Sequence, residues 1–180
     1  MQRPMEDIQN EVDFEKRALQ TFNFQANNCI IYRDFLKLLN FDIKAVSNVL
    51  DIPFLPIQFF KSHKVVSNYN PIEQIFLSSG TTGDQSQHLV TDLAMYIESY
   101  KRGFAQFYGN IEDYIILALL PSYLEREGSS LIYMIADLIK KSNNEQSGFF
   151  LENTPKMIEI IKKAVKNDKK LLILGVSYAL

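Results

Sequence analysis

Apolar residues recur at helical spacing over the first fifty positions of the chain. Ile8, Val12, Leu19 and Phe22 form one set, and Ile31, Phe35, Leu38 and Leu39 a second. This section is therefore expected to be helical and to pack against a sheet. The texture then changes. Pro53 and Pro56 in "IPFLPIQFFKSHKVVS" each stop a helix and hold the preceding residue extended. From residue 75 onwards strand-like and helix-like stretches alternate. "QIFLS" reads as a strand, "DLAMYIESYKRGFAQFY" as a helix, "YIILALL" as a continuous apolar strand, "SSLIYMIADLIKK" as a helix and "GFFLE" as a short strand. "TPKMIEIIKKAVKN" is a further helix, with Thr154 at its N-cap and Pro155 at its first position. It ends in Lys162, Lys163 and Lys166, near the negative pole of the helix dipole. "KLLILGVSYAL" opens as a strand.

Strands that are apolar throughout, separated by helices, imply a mostly parallel sheet covered on both faces. The fold class is α/β with a helical N-terminal section. Residues 1–180 are expected to form a single domain, or the N-terminal part of a larger one, with 1–50 helical and 51–180 α/β. The sequence stops at Leu180, in or just after an apolar run. Termini are usually polar and frayed, so a piece of a longer protein is expected, the other reading being a natural terminal strand.

Composition removes several classes of function. The formal net charge of -2 offers no basic face for the counterion release that drives nucleic-acid binding. A lone cysteine, Cys29, makes neither an internal disulfide nor a metal cluster, which points to a reducing, cytoplasmic compartment. Its apolar helical setting, "NNCIIYRDFLKLL", suits a buried structural residue better than a nucleophile. The N-terminus lacks the apolar core of a secretory signal, and no run reaches the length of a membrane span. His63 and His88 have no companions at metal-ligand spacing, so no metal centre built from protein ligands is expected. Lys61 and Lys64 read as exposed.

One stretch carries candidate chemistry. "FLSSGTTGDQSQHLV", residues 76–90, sets Ser78, Ser79, Gly80, Thr81, Thr82 and Gly83 directly after a strand. Hydroxyls, with glycines that let backbone N–H groups approach closely, are what a polyphosphate needs. The end of a strand is where α/β proteins bind ligands. An ordinary polar loop has the same composition. It is not a Walker A loop, because Asp84 follows Gly83 where lysine is required. The next helix starts only near Thr91 or Asp92, so a helix dipole cannot be the main source of anion affinity.

"LSSGTTG" resembles the phosphate loop of the adenylate-forming superfamily. With "IPFLPIQFFKSHKV" (52–65), "LLPSYLEREGSSLIYM" (119–134) and "LILGVSYAL" (172–180), it resembles the acyl-protein synthetase component of bacterial fatty-acid reductases and its relatives, over about residues 50 to 180. The resemblance implies part of that superfamily's N-terminal domain. It also implies a two-step reaction: a fatty acid is activated by ATP with Mg²⁺ as an acyl-adenylate, and the acyl group then passes to a protein thiol. Residues 79–83 would hold the β- and γ-phosphates, flanked by Ser78. Tyr123, Leu124 and His88 become candidates for a substrate pocket, and no catalytic residue is assigned. Against Tyr123 stands a plain strand-to-helix turn with Ser129 or Ser130 as cap.

Three departures accompany the resemblance. No lysine follows the second glycine, the superfamily's later motifs are absent, and Cys29 does not match the family's acyl-accepting cysteine. A chain of this extent is expected to be inactive alone. Its expected partners are a fatty or other carboxylic acid, an acyl-accepting protein such as an acyl reductase component, and a second copy at an unfinished sheet edge. The alternative is a non-catalytic nucleotide-binding or scaffold domain that keeps the loop without the chemistry.

Overall fold

The computed structural model describes residues 8–67, 70–78, 84–120, 128–150 and 155–175. The chain divides into two compact units, residues 1–93 and 94–180.

The first unit opens with α1 (Glu11–Asn28) and α2 (Ile30–Leu38). Asn10 caps α1 through its side chain, which accepts the Asp13 N–H at 2.9 Å. The two helices are nearly one. Only Cys29 departs from helical geometry, yet its N–H still donates to the Gln25 carbonyl and its carbonyl accepts the Arg33 N–H. The buried stripe runs through this break as Phe22, Ala26, Cys29, Tyr32 and Leu36. Against it pack residues of an irregular stretch, among them Phe41, Val46, Ile52 and Leu55.

The helices were expected to cover a sheet; among the described residues this cluster holds no strand residue. Ile8, Val12, Leu38 and Leu39 are exposed. Helical spacing identified the helices, but the face that finds a partner is offset from the one those residues mark. Cys29 is buried, as its setting implied. A short α3 (Phe59–Ser62) follows the two prolines, and its Phe59 ring meets Phe35 edge-on. Lys61 and Lys64 are exposed. The unit is completed by β1 (Gln74–Leu77) and β2 (Gln87–Val90), which pair antiparallel.

The second unit holds α4 (Leu93–Tyr108, save its first residue), β3 (Tyr114–Leu119), α5 (Ser130–Lys141), β4 (Gly148–Phe150), α6 (Pro155–Lys166) and β5 (Lys170–Gly175). Its three strands are parallel in the order β4-β3-β5. Both faces of β3 are covered, which is why it is apolar without alternation. Ile115, Leu117 and Leu119 pack on Met157, Ile160 and Ala164 of α6. Ile116 packs on Phe104 of α4 and Leu138 of α5, while Ala118 and Leu120 meet Ile135 of α5. The result is a helix–sheet–helix sandwich, the α/β class the sequence implied.

Helix ends follow local chemistry. Pro155 opens α6, and Lys163 and Lys166 stand in its last turn. The left-handed residues Asn40, Gly109, Asn143 and Asp168 each follow a helix. After α6, Lys169 donates to the Ala164 carbonyl and Asp168 to that of Val165. Polar groups are tied to the layers as well. The Tyr100 hydroxyl on α4 donates to Asp137 on α5 at 2.6 Å, and Lys141 pairs with the same carboxylate. The buried Ser142 donates to the Ser147 hydroxyl, which accepts the Ile116 N–H at the start of the central strand.

Candidate functional site

The Ser/Thr/Gly stretch is the connection of an antiparallel hairpin. β1 and β2 are short runs whose Phe76, Leu89 and Val90 are buried, in the register Gln74↔Val90 to Leu77↔Gln87. Pairing continues one step beyond the strands. The Ser78 N–H donates to the Ser86 carbonyl at 2.9 Å, and the Ser86 N–H donates back to Ser78 Oγ at 2.9 Å. The Gln85 side chain donates to the Ser78 carbonyl at 3.0 Å. Ser78 thus fastens the neck of the loop, and its hydroxyl hydrogen is not used in that contact. Ser79, Gly80, Thr81, Thr82 and Gly83 lie outside the described residues.

This corrects the placement inferred from the sequence. β1 does not belong to the parallel sheet, so the loop is not at the carboxyl end of a parallel strand. The residues between loop and helix, "QHLV", form β2, and α4 begins at Leu93. There the Leu93 N–H donates to the Glu73 carboxylate at 2.9 Å, while the Glu73 N–H donates to the Val90 carbonyl. The start of α4 is supplied with a carboxylate from the open end of the hairpin.

The residues present fit an anionic ligand in kind. Between the fastened ends stand two glycines and the hydroxyls of Ser79, Thr81 and Thr82, with Asp84 as the one acidic residue. Asp84 is exposed. His88 is exposed on β2, opposite Phe76 in the register. The resemblance set Ser78 at the flank of the phosphate residues, and the hydrogen bonds add that its side chain braces the neck of the loop. Ser86 and Gln85 were missed, and the signal for them was a second serine eight positions after the first, at the far side of a Gly-containing turn.

A second candidate region lies in the other unit. The chain leaves β3 to one side to form β4 and returns on the other side of β3 as β5. Such a reversal opens a crevice at the carboxyl ends of the strands where α/β folds bind ligands. Leu119 at the end of β3 stands opposite Gly175 at the end of β5. The segments that follow, 120–129 and 176–180, start from neighbouring strand ends. Tyr123 and Leu124 belong to the first of these and lie outside the described residues. Its far end is described. Gly128 takes φ +78, a left-handed conformation that suits glycine, and the Ser129 hydroxyl caps α5 by accepting the Ile132 N–H at 3.3 Å. Among the described residues no group of three or more His, Cys, Asp or Glu is placed to hold a metal ion, and no described helix is long and apolar enough to cross a membrane.

Comparison with known proteins gives the site a context. The family model described as "Acyl-protein synthetase, LuxE" matches residues 3–121, and the chain belongs to that family. The match takes in α1 and α2, which the resemblance read from motifs had left aside, and it includes the whole hairpin loop. It stops before residues 122–134 and 172–180. The chain is also 35% identical over 74 residues, 41% of its length, to the long-chain-fatty-acid–luciferin-component ligase of Photorhabdus luminescens. That stretch spans 63% of the relative's own length. No solved structure matches.

Proposed function

We propose that this member of the acyl-protein synthetase family forms part of an ATP-dependent enzyme of the adenylate-forming superfamily, which activates a fatty acid and hands it to a protein thiol. The reaction proceeds in two displacements. A carboxylate oxygen of the acid attacks the α-phosphorus of ATP, and the bond to the β-phosphate breaks to release pyrophosphate. A thiolate of the acceptor protein then attacks the acyl carbonyl, and AMP leaves. Mg²⁺, when bound, screens the charge of the triphosphate.

The residues of the hairpin are assigned the electrostatic part of this work. Bringing a carboxylate to a triphosphate sets like charges together, so donors must be in place beforehand. Residues 79–83 supply backbone N–H and hydroxyl donors for the β- and γ-phosphates, and Ser78 holds the two ends of the segment together. Tyr123 and Leu124, in the segment leaving β3, are assigned to the acyl or adenylate side, and His88 to the edge of the phosphate site. The supporting observation is that the family match spans a loop whose neck is fastened by Ser78 and Ser86. The experiment is calorimetric titration with Mg-ATP of the wild type, Gly80→Val and Thr82→Ala. Weakened binding in both variants is expected, and unchanged binding in both would remove the loop from the account.

A second reading, a nucleotide-binding domain without the chemistry, is favoured by Asp84. Its exposed carboxylate beside the loop opposes a polyphosphate. Binding of Mg-ATP by the complete protein, with no exchange of pyrophosphate in the presence of any carboxylic acid, would establish it.

A further inference from the structure

The outward side of α6 carries a charge pattern that the fold leaves unused. Met157, Ile160 and Ala164 turn inward onto β3. That orientation sends Ile158, Lys162, Val165 and Lys166 to the opposite side, since residues three, four and seven apart share a helix face. All four are exposed, Ile158 by 41% and Val165 by 72%. The formal net charge of -2 averages over a local excess of the opposite sign. Six lysines fall between residues 156 and 170, against two acids, Glu159 and Asp168.

The fold accounts for part of this excess. Glu159 pairs with Lys163 at 2.7 Å, and Asp113 with Lys170 at 3.0 Å. The dipole of α6 favours the lysines of its last turn and disfavours Lys156 in its first. Lys162 and Lys166 stand four apart, a spacing at which like charges on a helix repel. Ile158 and Val165 between and beside them gain nothing from exposure to water. A surface that covers this side of α6 and brings carboxylates to it relieves both costs.

The shape of the pattern selects the kind of surface. A helix that lies on a membrane inserts a broad apolar face. In α6 that face is Met157, Ile160 and Ala164, already buried on the sheet. What remains is a small apolar centre with lysines around it, the arrangement of a protein interface with its polar rim. Its complement is an acidic protein surface, which charge steers into place.

We infer that the outward side of α6 docks the protein that accepts the acyl group, and that this partner presents carboxylates around an apolar contact. This rests on the reading given under Proposed function and adds the surface through which the acceptor is held.

The test is binding of the complete protein to a purified acyl reductase component, followed by fluorescence anisotropy at low and high salt. Wild type is expected to bind saturably, with an affinity that falls as salt rises. The double variant Lys162→Glu/Lys166→Glu should weaken binding at low salt by at least about tenfold, since like charges brought together oppose docking. Val165→Ser should weaken it severalfold. Lys140→Glu, which reverses an exposed lysine of α5 on the other face of the sheet, should leave it nearly unchanged. The thermal unfolding transition and pyrophosphate exchange should be retained in all of them. Unchanged binding in the double variant overturns the inference, as does an equal loss in Lys140→Glu or a wild type that does not bind. Vesicles of phosphatidylserine and phosphatidylcholine test the membrane. Vesicle binding lost in the double variant, with reductase binding intact, overturns the inference too. If the double variant instead changes the sedimentation of the protein alone and leaves reductase binding intact, a second copy covers α6 and the inference also falls. Palmitate-dependent pyrophosphate exchange, in a protein whose reductase binding is indifferent to Lys162 and Lys166, sinks this inference and leaves the proposed function standing. Reductase binding lost in the double variant, without exchange in the wild type, supports the dock and removes the activity.

Discussion

Ser78 and Ser86 face each other across the neck of the Ser/Thr/Gly loop and exchange two hydrogen bonds of 2.9 Å, one of them to the Ser78 side chain. The side chain therefore braces the base of the segment proposed above to bind phosphate. Ser78→Ala removes that acceptor from the Ser86 N–H, at a cost of about 1 kcal/mol in hairpin stability. Mg-ATP affinity, measured by calorimetry, should fall severalfold. Ser78→Thr, which keeps the oxygen, should bind like the wild type. A loss in Ser78→Thr equal to that in Ser78→Ala would contradict a strut made by the oxygen.

Tyr32 spans the first unit by donating to the Pro53 carbonyl. Burial pushes its phenol up from 10.0 to about 12. The folded form thus favours the protonated ring, and the stability this gives is complete below pH 10 and is lost as pH rises from 10 to 12. Tyr32→Phe should cost about 1 kcal/mol at neutral pH through the lost hydrogen bond. It should also flatten the decline in stability between pH 10 and 12. Urea unfolding of both proteins across that range is the measurement.

Asp137 shows the opposite sign. Burial works to raise its pKa, but the Lys141 ammonium and the Tyr100 hydroxyl outweigh this and hold its carboxyl below the usual range. The stability it confers is present above the unfolded value of about 3.9 and is lost as pH falls through the lower folded value. Asp137→Ala should destabilise the second unit by about 1–3 kcal/mol at pH 7, because it leaves the half-buried Tyr100 hydroxyl without its acceptor. The penalty should shrink below pH 4. Thermal unfolding at pH 7 and pH 3 checks both, and a pH-independent penalty would contradict the assignment.

Much of the second unit is legible in the sequence, because each element there has a local cause. Pro155 and the final lysines bound α6, Ser129 caps α5, and the unbroken apolar run 114–119 marks a strand covered on both sides. The first unit is harder to read. β2 has four residues, of which only Leu89 and Val90 are buried, too few to show alternation. Its partner β1 therefore looks like the first strand of the parallel sheet. The buried helical stripe packs against an irregular stretch and is displaced from the spacing set by Ile8 and Val12. Of the candidate site, composition shows the hydroxyls and glycines, while the strut between Ser78 and Ser86 depends on hairpin register.

The most direct measurement of the central claim is exchange of labelled pyrophosphate into ATP by the complete protein, with long-chain fatty acids added. The account predicts exchange that requires both the acid and Mg²⁺, and that falls by at least about tenfold in Gly80→Val, as loss of phosphate donors at such a site implies. No exchange with any carboxylic acid, or full exchange in Gly80→Val, would contradict it.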